Sequence, residues 1–194
     1  AAATYGFDKA IFGYGTNPSG RSSLTNLVNN SGVVAADVSG VGTARAVLAA
    51  ASYGGDKAIF GYGVSSPNVS ITNLVSNSGV VAADTTGVGT ARQALSAVGY
   101  GGDKAIFAFG TTGSRTNISN LVSNSGVVAS DTTGVGTARN ELAGASYGGD
   151  KGIFGYGSTG SRVSMTNLVS NTGVVASDTS GVGSARRFPS AAGY

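Results

Sequence analysis

The chain of 194 residues is long enough to bury one hydrophobic core, although only 11% of its residues are charged. Its net charge of +3 is small and evenly spread, which argues against a nucleic-acid partner. The lack of cysteine excludes disulfides and thiolate metal sites, and the lack of histidine removes the commonest general base and metal ligand. No apolar run approaches the roughly 18 residues that a membrane-spanning helix needs, so no membrane partner is expected.

Four tandem copies of one unit make up a single predicted domain. The motif DKAIFGYG at 8–15 returns at 56–63, as DKAIFAFG at 103–110 and as DKGIFGYG at 150–157, in steps of 48, 47 and 47 residues. TNLV or SNLV, GVVA, and GVGTAR or GVGSAR follow in every copy. The repeats span approximately 8–52, 56–99, 103–146 and 150–193.

Each unit predicts four short strands, which we name a to d. Strand a is the alanine-rich run after the arginine, such as residues 46–52, and a YGGD turn with two flexible glycines connects it to strand b, KAIFGYG. Strand c is TNLVSN, and a turn of the type Asn-Ser-Gly leads to strand d, GVVA. The chain is therefore predicted to be all-β, with about sixteen strands in four sheets.

Strands b and d are apolar on both faces, so each sheet must be covered on both sides. Ala10, Phe12 and Tyr14 alternate with Ile11 and Gly13 along strand b. Four-stranded sheets stacked face to face around an axis satisfy this requirement, which predicts a β-propeller of four four-stranded blades. A β-solenoid is the alternative, although its coils are usually shorter.

The unit resembles the repeat of the kelch family of β-propellers. Arg92, the small-residue strand ALSAVG, the doublet Gly101-Gly102 and the strand at 104–110 follow the family's order, and the resemblance covers nearly the whole chain. The chain departs from the family in ending strand b with GYG or AFG, in lacking tryptophan and in having only four repeats. Propellers of the regulator-of-chromosome-condensation type are a second, weaker match. The resemblance implies an architecture and no catalytic residues.

The order of strands predicts how a ring would close. Residues 187–193 supply a last strand a, and pairing them with residues 8–15 would complete the first blade and leave no open edge. The residues Ala1–Ala3 would then lie outside that strand. A head-to-tail dimer with eight blades, or a longer ring of which this chain is one part, remain as alternatives.

The charged residues recur with the repeat, and this predicts structural rather than catalytic use. The second aspartate of each unit precedes the arginine by eight residues, so an Asp–Arg clasp across the connection from strand d to strand a is expected. The clasp residues are Asp37, Arg45, Asp84, Arg92, Asp131, Arg139, Asp178 and Arg186. No catalytic residue, metal ligand or cofactor site is predicted.

The loops between strands b and c vary between copies, which makes them the best candidates for a partner surface. Three of the loops contain an arginine, namely Arg21, Arg115 and Arg162, and the second repeat has none. Drift in the absence of selection is the competing explanation for this variation.

These patterns predict a non-enzymatic structural or interaction module, such as a component of a viral particle, a tail or fibre, or a surface appendage. Its expected partners are protein subunits of an assembly, among them further copies of the chain, and an extracellular or virion-surface location would fit. A glycan-binding propeller with one shallow site per blade is the alternative. An enzyme with a single axial site is disfavoured by the missing histidine and the small residues of the inner strands.

Overall fold

A computed structural model describes residues 1–193, and within that range the chain consists of twelve β-strands and contains no helix. The strands form four three-stranded antiparallel sheets with strand b in the middle of each. Sheet 1 contains β1 (Ala2–Tyr5), β2 (Lys9–Asn17) and β3 (Gly20–Val28), and sheet 2 contains β4 (Ala49–Tyr53), β5 (Lys57–Gly61) and β6 (Thr72–Val75). Sheet 3 contains β7 (Ser96–Tyr100), β8 (Lys104–Ala108) and β9 (Ser119–Val122), and sheet 4 contains β10 (Ala143–Tyr147), β11 (Lys151–Gly155) and β12 (Thr166–Val169).

The YGGD turn closes the hairpin between strands a and b, as the sequence predicts. Tyr53 pairs with Lys57 in sheet 2, and the two glycines between them have φ values of 63° and 79°. Side chains other than glycine rarely adopt this left-handed conformation, which explains the Gly-Gly pair at this turn.

Strand d is less regular than predicted. In sheet 1 it is reduced to single antiparallel bridges between Val28 and Val34 and between Thr25 and Val38. The side chain of Asn29 accepts hydrogen bonds from the main-chain N–H of Ser31 and of Val33, at 3.0 and 2.9 Å. These bonds hold a tight turn just before GVVA, and the segment meets strand c only at intervals.

The core lies between neighbouring sheets, and the strands a of successive sheets pack side by side. β1 contacts β4, β4 contacts β7, and β7 contacts β10. In β5 and β8, every residue after the initial lysine is buried. The expectation that strand b is covered on both faces is therefore confirmed for the two inner sheets.

The predicted pairing of residues 187–193 with residues 8–15 is wrong. β2 pairs with β1 on one side, from Ala2 opposite Phe12 to Tyr5 opposite Lys9, and with β3 on the other. Ala2 and Ala3 thus belong to strand a of sheet 1 instead of lying outside it. The segment ATYG carries the same small-residue and Tyr-Gly signature as the other strands a, and its short hairpin loop costs little entropy to close.

Residues 187–193 instead continue the row of strands a beyond β10. The N–H of Phe188 donates to the carbonyl of Glu141 at 2.8 Å, as the N–H of Glu141 donates to the carbonyl of Ala94 at 3.0 Å. At the other end of this segment, Gly193 lies against the main chain of Ser146. The segment therefore takes a fifth position in the row of strands a.

Candidate interaction surfaces

An arginine and two aromatic rings form the junction between each pair of neighbouring sheets. Arg92 is fully buried, its guanidinium carbon lies 4.2 Å from the centre of the Tyr62 ring, and its Nε donates to the carbonyl of Phe109 at 2.9 Å. The Tyr62 ring meets the edge of Phe107 in the next sheet, with 5.1 Å between the ring centres. Arg45 lies over Tyr14, Arg139 over Phe109 and Arg186 over Tyr156 in the same way. The arginines thus fix the aromatic rings on which the next sheet packs.

The aspartates of the predicted clasp act between repeats, so the predicted pairing of Asp37 with Arg45 is wrong. The carboxylate of Asp84 accepts from the N–H and the hydroxyl of Thr43 in the preceding repeat, at 2.9 and 2.6 Å. It also lies 4.0 Å from Nη1 of Arg45, and Asn73 of its own sheet donates to it at 3.0 Å. In the same way, Asp131 accepts from the N–H of Thr90, and Asp178 accepts from the N–H of Thr137. Asp178 also lies 3.7 Å from Nη1 of Arg139.

Burial and hydrogen bonding act in opposite directions on these charges. Burial of the Asp84 carboxyl favours its neutral form, but the hydrogen bonds from Thr43 and Asn73 outweigh it and hold the pKa of Asp84 below its ordinary value. Burial lowers the pKa of Arg139 to about 10, partly offset by the charge of Asp178. Near neutral pH the Asp84 carboxylate and the Arg139 guanidinium are therefore both charged, each within its own junction.

The other recurring charges form partly exposed pairs beside the turns between strands a and b. Lys57 Nζ lies 2.8 Å from Asp56, and the side-chain amide of Asn77 donates to the same carboxylate at 2.9 Å. The equivalent Lys–Asp pairs recur in the other three sheets at 2.8–2.9 Å. Exposed pairs of this kind contribute little to stability, so this edge is a repeated polar surface.

The three loop arginines are exposed, and the b–c loops of sheets 2 and 3 each contact a residue that belongs to the next sheet or leads into it. The side-chain amide of Asn68 donates to the carbonyl of Thr111, and Nε of Arg115 donates to Oδ1 of Asn140 at 3.2 Å. Arg162 lines a polar pocket together with Arg187. Arg21 lies in the longer hairpin of sheet 1, where it pairs with Thr16. These loops, which we call the b–c loop row, place Arg115 beside the chain that leads into sheet 4 and Arg162 beside Arg187.

The strands a line a cavity with small residues. Thr4, Ser52, Gly99 and Ser146 face it from the four sheets, and residues 191–193 complete its lining. The lining contains no ionisable side chain. Within residues 1–193, no three acidic, histidine or cysteine side chains come close enough to hold a metal ion, and no helix is long and apolar enough to cross a membrane.

The two end faces of the row of sheets are a feature that the sequence reasoning missed. Phe12 in sheet 1 is 51% exposed, whereas the equivalent Phe60, Phe107 and Phe154 are fully buried. Leu168 in sheet 4 is 42% exposed, although its equivalents in the other sheets are partly buried. The available signal was the number of strands a, since the sequence has five runs of this type and only four sets of strands b, c and d.

No protein-family model and no curated protein matches this chain.

Proposed function

We propose that this chain is a non-enzymatic structural and interaction module, a propeller-like stack of sheets that presents its b–c loop row to a neighbouring protein subunit. A viral particle, a tail or fibre, or a surface appendage is the kind of assembly it would serve. The observation that carries the proposal is that the repeated and the variable charged residues lie in different parts of the molecule. The buried arginines and the aspartates Asp84, Asp131 and Asp178 connect neighbouring sheets, and the recurring Asp–Lys pairs bind each other beside the turns. The loop arginines, which vary between copies, are exposed.

The propeller-like arrangement is supported by the order of the inner strands. β1, β4, β7 and β10 contact one another in sequence, and all four line one cavity together with residues 191–193. Strands that lie in an extended flat row would not share one cavity, whereas strands around an axis would. The resemblance to kelch repeats supports the same arrangement.

The chemistry of the loop row favours an acidic partner. Arg21, Arg115 and Arg162 each present a guanidinium group, which binds carboxylate or sulfate groups with two parallel hydrogen bonds. Sheet 2 has Asn68 in the corresponding loop, so the surface differs from sheet to sheet. A docking partner could therefore distinguish one orientation of the module from another.

The test compares two triple variants that remove the same charge from opposite edges. One replaces Arg21, Arg115 and Arg162 with alanine, and the other replaces Lys57, Lys104 and Lys151, which lie beside the YGGD turns. Electron micrographs of the native assembly, reconstituted with each variant at physiological salt, measure incorporation. The proposal predicts that only the arginine variant fails to incorporate, and normal incorporation of that variant would refute it.

A glycan array distinguishes the alternative of a glycan-binding module. The exposed Asp–Lys–Asn clusters, such as Asp56, Lys57 and Asn77, recur in all four sheets and could serve as one shallow polar site per sheet. Binding to the array that is weakened in the lysine variant, which keeps only the site at Lys9, and unchanged in the arginine variant would favour this alternative.

A further inference from the structure

The three internal junctions show what each face of a sheet needs in order to be covered. Phe60, Phe107 and Phe154 are fully buried and meet the edges of aromatic rings in the preceding sheet, with 5.2, 5.1 and 5.6 Å between ring centres. A small residue before each of those rings makes room for the phenylalanine. A methyl group at Gly13 would lie 2.8 Å from the Phe60 ring, and one at Gly61 would lie 2.6 Å from the Phe107 ring.

The outer face of sheet 1 is one half of such a junction without its counterpart. Phe12 stands where Phe60 and its equivalents stand, but half of its surface is exposed. Gly79, Gly126 and Gly173 each pack against a leucine and a tyrosine of the preceding sheet, whereas nothing within residues 1–193 comes within 4 Å of a Cβ position at Gly32. Asp37 accepts a side-chain hydrogen bond from Asn26 of its own sheet but, among the described residues, none from a preceding repeat.

The outer face of sheet 4 is the other half. A methyl group at Gly155 would meet only Thr166 of its own sheet, so the space that holds a phenylalanine ring beside Gly13 and Gly61 is empty here. Leu168 is 42% exposed. The N–H groups of Gly6, Gly54 and Gly101 each donate to an aspartate carbonyl of the next sheet at 2.6–2.7 Å, and in the described part of the chain Gly148 has no such bond.

Between these two faces lies a segment in the position of a strand a, and no strand b is paired with it. Residues 187–193 follow β10 just as β10 follows β7, yet no strand of the described chain pairs with them. Phe188 at the start of this segment is 66% exposed. Unpaired strands with apolar faces are sites at which another strand can add.

We propose that this open position takes a polypeptide segment carrying strands b, c and d of this same repeat. Its strand b pairs with residues 187–193, its phenylalanine fills the space beside Gly155 against the Tyr156 ring, and its own aromatic ring covers Phe12. Its aspartate accepts from Ser184, and the threonine at its end donates to Asp37. The inference rests on the proposed propeller-like arrangement and names a partner for the two faces that the loop row does not use.

One segment fits better than a whole second copy of the chain. The strand a that would carry the segment already lines the same cavity as β1, β4, β7 and β10, so the two open faces border one gap. Three strands would satisfy both faces at once. A complete second copy would bring four sheets to the gap, whereas the gap contains only one unpaired strand a.

The experiment appends residues 101–139 of this chain directly after Tyr194. This addition supplies strands b, c and d with Phe107, Phe109, Asp131 and Thr137 at the required places. We expect a monomer whose melting temperature rises by about 5 °C or more, given the 2–4 °C that each kcal/mol is worth in a domain of this size. Hydrogen exchange at the amides of residues 187–193 is expected to slow at least about tenfold, because they enter a ladder.

The matched control appends the same residues with Ile106 and Phe107 both changed to aspartate. A strand with these changes cannot be buried, so the melting temperature and the exchange rates are expected to equal those of the unextended chain. Equal values for the intact extension and the control would overturn the proposal. So would concentration-dependent dimers of the unextended chain that disappear on Phe12→Ser, because they would make a second copy the occupant.

The outcome is separable from that of the proposed function. The extension leaves Arg21, Arg115 and Arg162 untouched, and the loop-row variants leave Phe12, Tyr156 and residues 187–193 untouched. A failed extension would refute the occupant of the gap, and only the incorporation experiment decides the role of the loops.

Discussion

The junction between sheets 2 and 3 and the two end faces of the molecule are made of the same residue types, yet they differ in almost every physical respect. At the junction, Phe107 is fully buried against Tyr62, and Arg92 is fully buried over the same ring. At the ends, Phe12 is half exposed, and Arg186 covers Tyr156 from an exposed position. In this fold a side chain stabilises the protein more through contacts with the neighbouring sheet than through contacts within its own sheet.

The comparison provides internal controls that few proteins offer. Substituting equivalent residues at a junction and at an end removes the same atoms from the same local sequence. The difference between the two unfolding free energies therefore measures the contribution of the neighbouring sheet alone.

The largest difference is expected between Phe107→Ala and Phe12→Ala. Loss of the buried Phe107 ring leaves a cavity and should lower the free energy of unfolding by about 3–5 kcal/mol. Loss of Phe12, which is half in solvent, should cost less than about 1.5 kcal/mol, since part of its surface is never removed from water. Urea denaturation followed by circular dichroism measures both values. Equal losses would mean that the junction rings do not hold the sheets together.

A smaller difference is expected between Arg92→Ala and Arg186→Ala. Arg92 donates to the carbonyls of Phe109 and Thr90 from a buried position, and hydrogen bonds from charged groups are worth about 1.5–3 kcal/mol. Arg186 is exposed, so its removal should cost about 0.5 kcal/mol or less. Arg92→Lys is the informative control, because an ammonium group keeps the charge but loses the planar stack and the fork of donors. A lysine variant as stable as the original chain would show that charge alone matters at this site.

The sequence was a sufficient guide to whatever the repeat determines locally. Strands b and c and the Gly-Gly turn could all be predicted from motifs within one unit. Strand d was predicted too regular, because the hydrogen bonds that Asn29 and its serine equivalents accept from the following main-chain N–H groups leave no trace in the hydrophobic pattern.

Which repeat supplies a partner could not be predicted, and the reason is physical. Asp37 and Asp84 occupy equivalent positions of the repeat, so no local pattern shows whether Arg45 faces one or the other. The same ambiguity affected the closing strand, since ATYG and the segment 187–193 both have the composition of strand a. Proximity along the chain decided for β1, because a hairpin closes a far shorter loop than a pairing of the two termini.

The smallest and most specific difference concerns Asp84→Asn and Asp37→Asn. Asp84 accepts from Thr43 and Asn73, and an asparagine in its place would point donor against donor at one of them, which should cost about 1 kcal/mol. Among the described residues Asp37 accepts a side-chain hydrogen bond only from Asn26, so Asp37→Asn should lower the free energy of unfolding by less.

Acid tests the junction carboxylates in a second way, because the hydrogen bonds hold the pKa of Asp84, Asp131 and Asp178 below its ordinary value in the folded chain. A carboxyl with a lowered folded pKa stabilises the fold fully above its unfolded pKa of about 4, and this contribution is lost as the pH falls through the folded pKa. The melting temperature should therefore be nearly constant from pH 7 to about pH 5 and should fall below pH 4. In Asp84→Asn this acid-induced fall should be shallower than in the original chain, since one of the three carboxyls no longer takes up a proton on unfolding. A fall in Asp84→Asn that is as steep as in the original chain would show that this junction carboxylate carries no special share of the acid sensitivity.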